Sequence, residues 1–88
     1  METRVLRLDN LIVSNPCLDE AWIDKLVNAG RIGILQREEP IVVDCYSTGE
    51  NVIRDGNHFV EALKVLGITL TEAIIIRKPE SVRYFPLL

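Results

Sequence analysis

Four consecutive residues, Asp55-Gly56-Asn57-His58, place a carboxylate, a glycine, an amide and an imidazole directly ahead of an amphipathic segment. Gly56 lets the backbone turn sharply and keeps a side chain out of a ligand's way. The first N–H groups of a following helix have no intrahelical acceptor, and together with the helix dipole they attract phosphate or another anion. His58, on that first turn, could donate to a phosphate oxygen or move a proton. Asp55, on the end of the preceding strand, could accept a proton or hold a metal–phosphate complex. The candidate catalytic residues are therefore Asp55 and His58. The candidate nucleotide- or phosphate-binding residues are Arg54, Gly56, Asn57 and His58. Each also has a plain structural reading: Asp-Gly is a common turn, Asn57 or Asp55 can cap a helix, and a lone histidine is usually a surface residue.

Little else in the chain bears chemistry. Cys17 and Cys45 are too few for a disulfide framework, and with one histidine they match no zinc spacing. Asp44 is the only other carboxylate that a neighbouring strand would bring near the turn, so no metal pair is expected. No activated nucleophile is evident, which makes binding a better expectation than catalysis. The turn by itself supports no specific nuclease mechanism.

The 88 residues allow one domain, whose modest core leaves room for a surface cleft rather than a deep cavity. Hydrophobic residues make up 48% and charged residues 26%, ordinary values for a folded chain. Ten basic residues against thirteen acidic give a net charge of −3, which disfavours DNA binding through phosphates by this chain alone. No apolar run approaches the roughly 20 residues that span a bilayer. The N-terminus lacks a signal-peptide core, so the expected compartment is the cytoplasm.

The elements that must position the turn follow from periodicity. Arg4 to Leu8 alternates, Asp9-Asn10 is a turn, and Leu11 to Val13 is extended, reading as one broken edge strand that Asn15-Pro16 stops. Asp19 and Glu20 open a helix with an apolar stripe of Trp22, Ile23, Leu26 and Val27, and Gly30 is expected to end it. A connection follows, kept packed down by Ile32, Ile34 and Leu35. Ile41 to Tyr46 and Asn51 to Arg54 form a hairpin around Ser47-Thr48-Gly49-Glu50. Phe59, Ala62, Leu63 and Leu66 mark a second helix that Gly67 closes. The apolar run Glu72 to Arg77 predicts a strand inside the sheet. The order β-α-β-β-α-β and the central hairpin give an α/β (α+β) fold with a small mixed sheet.

From Val5 to Ile76 the sequence resembles the ParB/sulfiredoxin superfamily. Asn15-Pro16, Gly33 with Glu39-Pro40-Ile41-Val42-Val43, and the Asp55-Gly56-Asn57-His58 turn followed by Ala62-Leu63 and Leu66-Gly67 carry the resemblance. It implies that residues 1–88 form a single ParB-like domain and that the turn binds nucleotide phosphates, with CTP or ATP and Mg²⁺ as the implied cofactors. The family's turns read Gly-Glu-Arg-Arg in partition proteins and Gly-Cys-His-Arg in sulfiredoxin, and are of Asp-Gly-His type in free serine kinases. Gly56 matches the turn glycine and His58 the sulfiredoxin histidine. Asn57 stands where sulfiredoxin has its nucleophilic cysteine, so its reductase chemistry is not expected. Phe59 stands where an arginine would grip phosphate, and Arg54, Arg77 and Lys78 are the cations that would have to replace it.

Two readings follow. In the first, the turn binds a nucleotide or phosphate, in a DNA-related setting such as partition, a plasmid or a phage. In the second, the chain is a non-catalytic adaptor or self-associating regulator whose apolar tail, Val82 to Leu88, joins it to a second copy or a protein partner.

Overall fold

The computed structural model describes residues 1–15, 17–33 and 40–79. Alternating and β-branched residues form β1 (Thr3–Arg7), β2 (Leu11–Ile12), β3 (Ile41–Tyr46), β4 (Asn51–Asp55) and β5 (Leu70–Lys78); two amphipathic segments form α1 (Glu20–Arg31) and α2 (Asn57–Val65). The five strands make one sheet in the order β1-β5-β3-β4-β2. β3 runs parallel to β5 and β2 parallel to β4, while β1–β5 and β3–β4 are antiparallel. The α+β class and the mixed sheet are as the sequence predicts, and β5 lies inside the sheet between β1 and β3.

The N-terminal segment departs from expectation. β1 and β2 are not one interrupted edge strand; they occupy opposite edges of the sheet. A single 3₁₀ turn, Leu8–Asn10, is all that joins them. The four peptide steps from Arg7 to Leu11 reach at most ~14 Å, whereas four strand spacings in a flat sheet amount to about 19 Å. The sheet must therefore curl until its two edges approach. Leu8, 2% exposed, points into the space so enclosed, on the same side as Leu6, which packs against the core two residues earlier.

The core is built from Ile41, Val43, Ile53, Ala73 and Ile75 of the sheet, Val60 and Leu63 of α2, and Leu8 and Leu11 of the N-terminal segment. Ile41, Val43, Ile53 and Val60 are completely buried, each worth about 1.5–3 kcal/mol in removed apolar surface. α1 packs against α2 and buries Val27. The rest of its predicted stripe is shallower: Ile23 and Leu26 are half-buried, and Trp22 is half-exposed.

α1 also runs past Gly30. Ile32 N–H reaches the Asn28 carbonyl at 3.2 Å, and the left-handed residue that ends the helix is Gly33, φ 79°. Glycine is costly but tolerable inside a helix, and the residue after the C-cap is the one that needs a positive φ. Ile32, expected to pack down, is exposed. The expectations for Pro16, Ile34, Leu35, Glu39 and the tail Val82 to Leu88 lie outside the described residues. Among the described residues, no helix is long and apolar enough to cross a membrane.

Candidate functional site

β4 ends in an irregularity. Asp55 pairs with Val42, but Ile53 pairs with Val43, so Arg54 is an extra residue on its strand. Gly56 then adopts φ 111°, a left-handed conformation that strains any residue with a Cβ, and α2 begins at once. Among the described residues no side chain caps this helix at Gly56; the first backbone bond inside it runs from Val60 N–H to the Gly56 carbonyl at 2.9 Å. Asn57, His58 and Phe59 therefore contribute N–H groups that have no acceptor within the helix.

The side chains of the turn are committed in different directions. Asn57 is 9% exposed and turned inward. Its Oδ1 accepts from the Ser14 backbone N–H at 3.2 Å, and its Nδ2 donates to Ser14 Oγ at 3.2 Å, while that hydroxyl donates to the Ile53 carbonyl. The residue predicted to cap α2 or meet a ligand instead ties the segment after β2 to the turn. His58 is half-buried, and its Nε2 accepts a 3.0 Å hydrogen bond from the Asp19 backbone N–H. That bond requires the tautomer with the proton on Nδ1, which leaves Nδ1–H as the ring's single donor. Asp19 is the N-cap of α1, its Oδ1 accepting from Ala21 N–H at 3.0 Å and Trp22 N–H at 3.4 Å. The two helices thus start side by side, joined through the imidazole.

Arg54 points elsewhere. Its Nε donates to both oxygens of Asp44, at 2.9 and 3.1 Å, and Asp44 is only 5% exposed. The guanidinium thus neutralises a buried carboxylate on the neighbouring strand. Arg77 and Lys78 do not approach the turn. Arg77 pairs with Cys45 and Asp55 with Val42, three residues apart along β3, which is ~10 Å of strand. Arg77 is held by Glu2, with Nε donating to Oε1 at 3.1 Å and an Nη to Oε2 at 2.7 Å. The Arg77 hydrogen bonds hold the Glu2 carboxyl below its ordinary range. Phe59 packs against the core, as expected of a residue on the helix's apolar side.

A cleft of about 300 Å³ opens over the turn, lined by Trp22 and Leu26 of α1, by Asp55 and Gly56, and by Asn57, His58 and Phe59 of α2. Five candidate residues were named from the sequence; four line this cleft and Arg54 does not. No lysine or arginine stands among these lining residues, and Asp55 supplies their carboxylate. Sequence reasoning missed Trp22, which the helical stripe assigned to the core. It also missed Asp19, whose backbone N–H orients His58; that contact joins residues too far apart in sequence for any local pattern to signal. Among the described residues, no group of three His, Cys, Asp or Glu could hold a metal ion by itself. Neither cysteine resembles a nucleophile site: Cys17 is exposed, and burial pushes the Cys45 thiol up.

A larger cleft of about 550 Å³ lies between the 3₁₀ turn and the end of α2. Its two cations are already paired, Arg7 with Asp9 at 2.9 Å and Lys64 with Glu61 at 3.6 Å. Among its described lining residues there is no histidine or cysteine, so volume alone does not make it the better candidate.

No protein-family model matches the sequence, and no curated protein matches it either. Solved structures do match. Sulfiredoxin from Arabidopsis thaliana superposes with a TM-score of 0.72 at 21% identity, covering 89% of this chain and 88% of that one. The C-terminally truncated chromosome-partitioning protein ParB from Caulobacter crescentus, complexed with CTP-γ-S, gives a TM-score of 0.69 at 20% identity over 91% of this chain and 47% of its own. A free serine kinase variant in complex with ADP gives 0.72 at 17% identity over 86% of this chain and 31% of its own. The chain thus spans nearly all of the sulfiredoxin, about half of the partition protein and about a third of the kinase. With its curled five-stranded mixed sheet and two helices, the chain has the ParB/sulfiredoxin-like fold.

Proposed function

We propose that the chain is a single ParB-like domain that binds a nucleotide in the cleft over the Asp55-Gly56-Asn57-His58 turn. The observation that carries this reading is the junction itself: a left-handed glycine delivers a strand directly into an uncapped helix start at the floor of a cleft. Two structures of the same fold hold CTP-γ-S and ADP, which supports a nucleotide as the anion. The α2 N–H groups would receive the phosphates, and His58 Nδ1–H would add a donor.

The cleft offers no arginine clamp among the described residues, so the phosphate charge needs another counter-ion. Mg²⁺ fits the donor set in one way only. It typically retains waters and is held by one or two carboxylates plus substrate phosphates, and Asp55 is the carboxylate in place. This is a role in binding; the turn presents no activated nucleophile. We extend the reading to a DNA-associated role in partition, a plasmid or a phage, and to the cytoplasm, on the likeness to the partition protein alone.

The adaptor reading has one specific observation behind it. Asn57, His58 and Phe59 are each occupied with holding the fold, by bonds to Ser14 and Asp19 and by core packing. Thermal unfolding with CTP or ATP separates the two. A nucleotide at 100 times its dissociation constant stabilises by roughly 2.7 kcal/mol, which for a domain this size raises Tm by roughly 10 °C or more. The expected shift depends on Mg²⁺, shrinks in Asp55→Asn and His58→Ala, and is absent with NaCl alone. No shift with either nucleotide at millimolar concentration, with or without Mg²⁺, sinks the binding reading and leaves the adaptor.

A further inference from the structure

We infer that Trp22 is the platform on which the base of the bound nucleotide stacks, so that the site requires a base-bearing ligand and not a polyphosphate alone. The inference rests on the nucleotide reading above and assigns the other end of the same ligand.

Trp22 is 50% exposed although it belongs to the apolar stripe of α1, whose Val27 is buried. Trp22 is thus a half-exposed indole lining the cleft, and aromatic rings stack on the π-surface of a base whatever its identity. The backbone beneath the indole belongs to the first turn of α1, where the Trp22 backbone N–H donates to Asp19 Oδ1 at 3.4 Å. Leu26, one turn further along α1, continues the same wall, and His58 and Phe59 of α2 line the cleft with it.

The two walls differ in chemistry. The turn offers helix N–H groups and a carboxylate, suited to phosphate with its metal; the described residues of the α1 wall are Trp22 and Leu26, suited to a flat apolar ring. At about 300 Å³ the cleft is at the lower limit of ligand pockets, which run from ~300 to ~1,000 Å³. A cleft of this size can seat the phosphates on the turn and the base against Trp22 without enclosing the whole nucleotide. Stacking is indifferent to base identity, so purine and pyrimidine nucleotides are expected to bind within a few-fold of each other.

Trp22 is the chain's single tryptophan, so its fluorescence reads the contact directly. The experiment titrates the full chain with MgATP, MgCTP and magnesium tripolyphosphate, by fluorescence for the wild type and by calorimetry for Trp22→Leu and Trp22→Phe, with folding of each variant checked by its unfolding curve. Both nucleotides are expected to quench Trp22. Tripolyphosphate is expected to bind about 5- to 150-fold more weakly, the loss that removing a stacked base produces. Trp22→Leu, which keeps apolar bulk without a π-face, is expected to lose the same preference, and Trp22→Phe to recover most of it. Tripolyphosphate binding as tightly as ATP, or Trp22→Leu binding ATP like the wild type, overturns the platform and leaves the nucleotide reading standing. No binding of any of the three to the wild type overturns both.

Discussion

The two ends of the sheet invite opposite conclusions from their charges. At the far end, the exposed Arg77 pairs with Glu2, and the half-buried Lys78 follows it. At the turn end, the described lining residues carry a carboxylate and no cation, and Arg54, next to Asp55 in the chain, is spent on Asp44. Counting cations would place an anion site at the far end. Yet the far end is regular strand, whose N–H groups are consumed by the ladder, whereas the turn end opens a helix whose first N–H groups have no internal acceptor. Backbone geometry, not side-chain charge, distinguishes the candidate site here.

The largest expected effect tests how firmly Arg54 belongs to the fold. Arg54→Ala strands the buried Asp44 carboxylate and is expected to cost about 3 kcal/mol, the low end of the ~3–5 kcal/mol for a broken buried pair because the arginine itself is half in water. A loss under 1 kcal/mol in urea unfolding would return Arg54 to the list of residues available for a ligand. Next comes the clamp beneath the turn. Asn57→Ala removes both bonds to Ser14 and is expected to cost about 1–2 kcal/mol, since it leaves the half-buried Ser14 N–H without its acceptor. A Tm within 1 °C of the wild type would show that the turn holds without it.

The smallest effect belongs to the far end. Glu2 has its carboxyl held low by Arg77. A carboxyl depressed in the folded state adds stability above its unfolded value, near 4.5, and that stability disappears as pH falls through the folded value. Arg77→Ala is therefore expected to lower stability slightly at neutral pH and to leave it unchanged in strong acid, where the pair is already lost. Because both side chains are exposed, the difference is small and screened by salt. Equal destabilisation at pH 2 and pH 7 would mean that Arg77 acts through packing and not through its charge.

Much of this architecture is legible in the sequence, for reasons that can be named. β3, β4 and α2 are local matters: β-branched runs, a hairpin loop, and an i, i+3, i+4, i+7 stripe. The turn is legible because glycine before a helical stripe has few other uses. The placement of β1 and β2 on opposite edges is not, since it depends on the curl of strands yet to come. Gly30 and Gly33 are equally good helix terminators by type, and hydrogen bonding alone chooses the second. Trp22 and Asn57 exchange their expected roles, the apolar residue turning to the cleft and the polar one to the interior. Residue type sets a preference for burial, while the start of α1 at Asp19 and the reach of Ser14 decide which side chain obtains it.

The three-residue link between β1 and β2 also fixes an order of events during synthesis. Leu11 pairs with Asn51, and Thr3 with Ile74. Neither of the first two strands can acquire its ladder until most of the chain has been made. β1, the first strand to emerge, thus waits for β5, the last, and the seat of Leu8 in the core closes only when β5 has arrived.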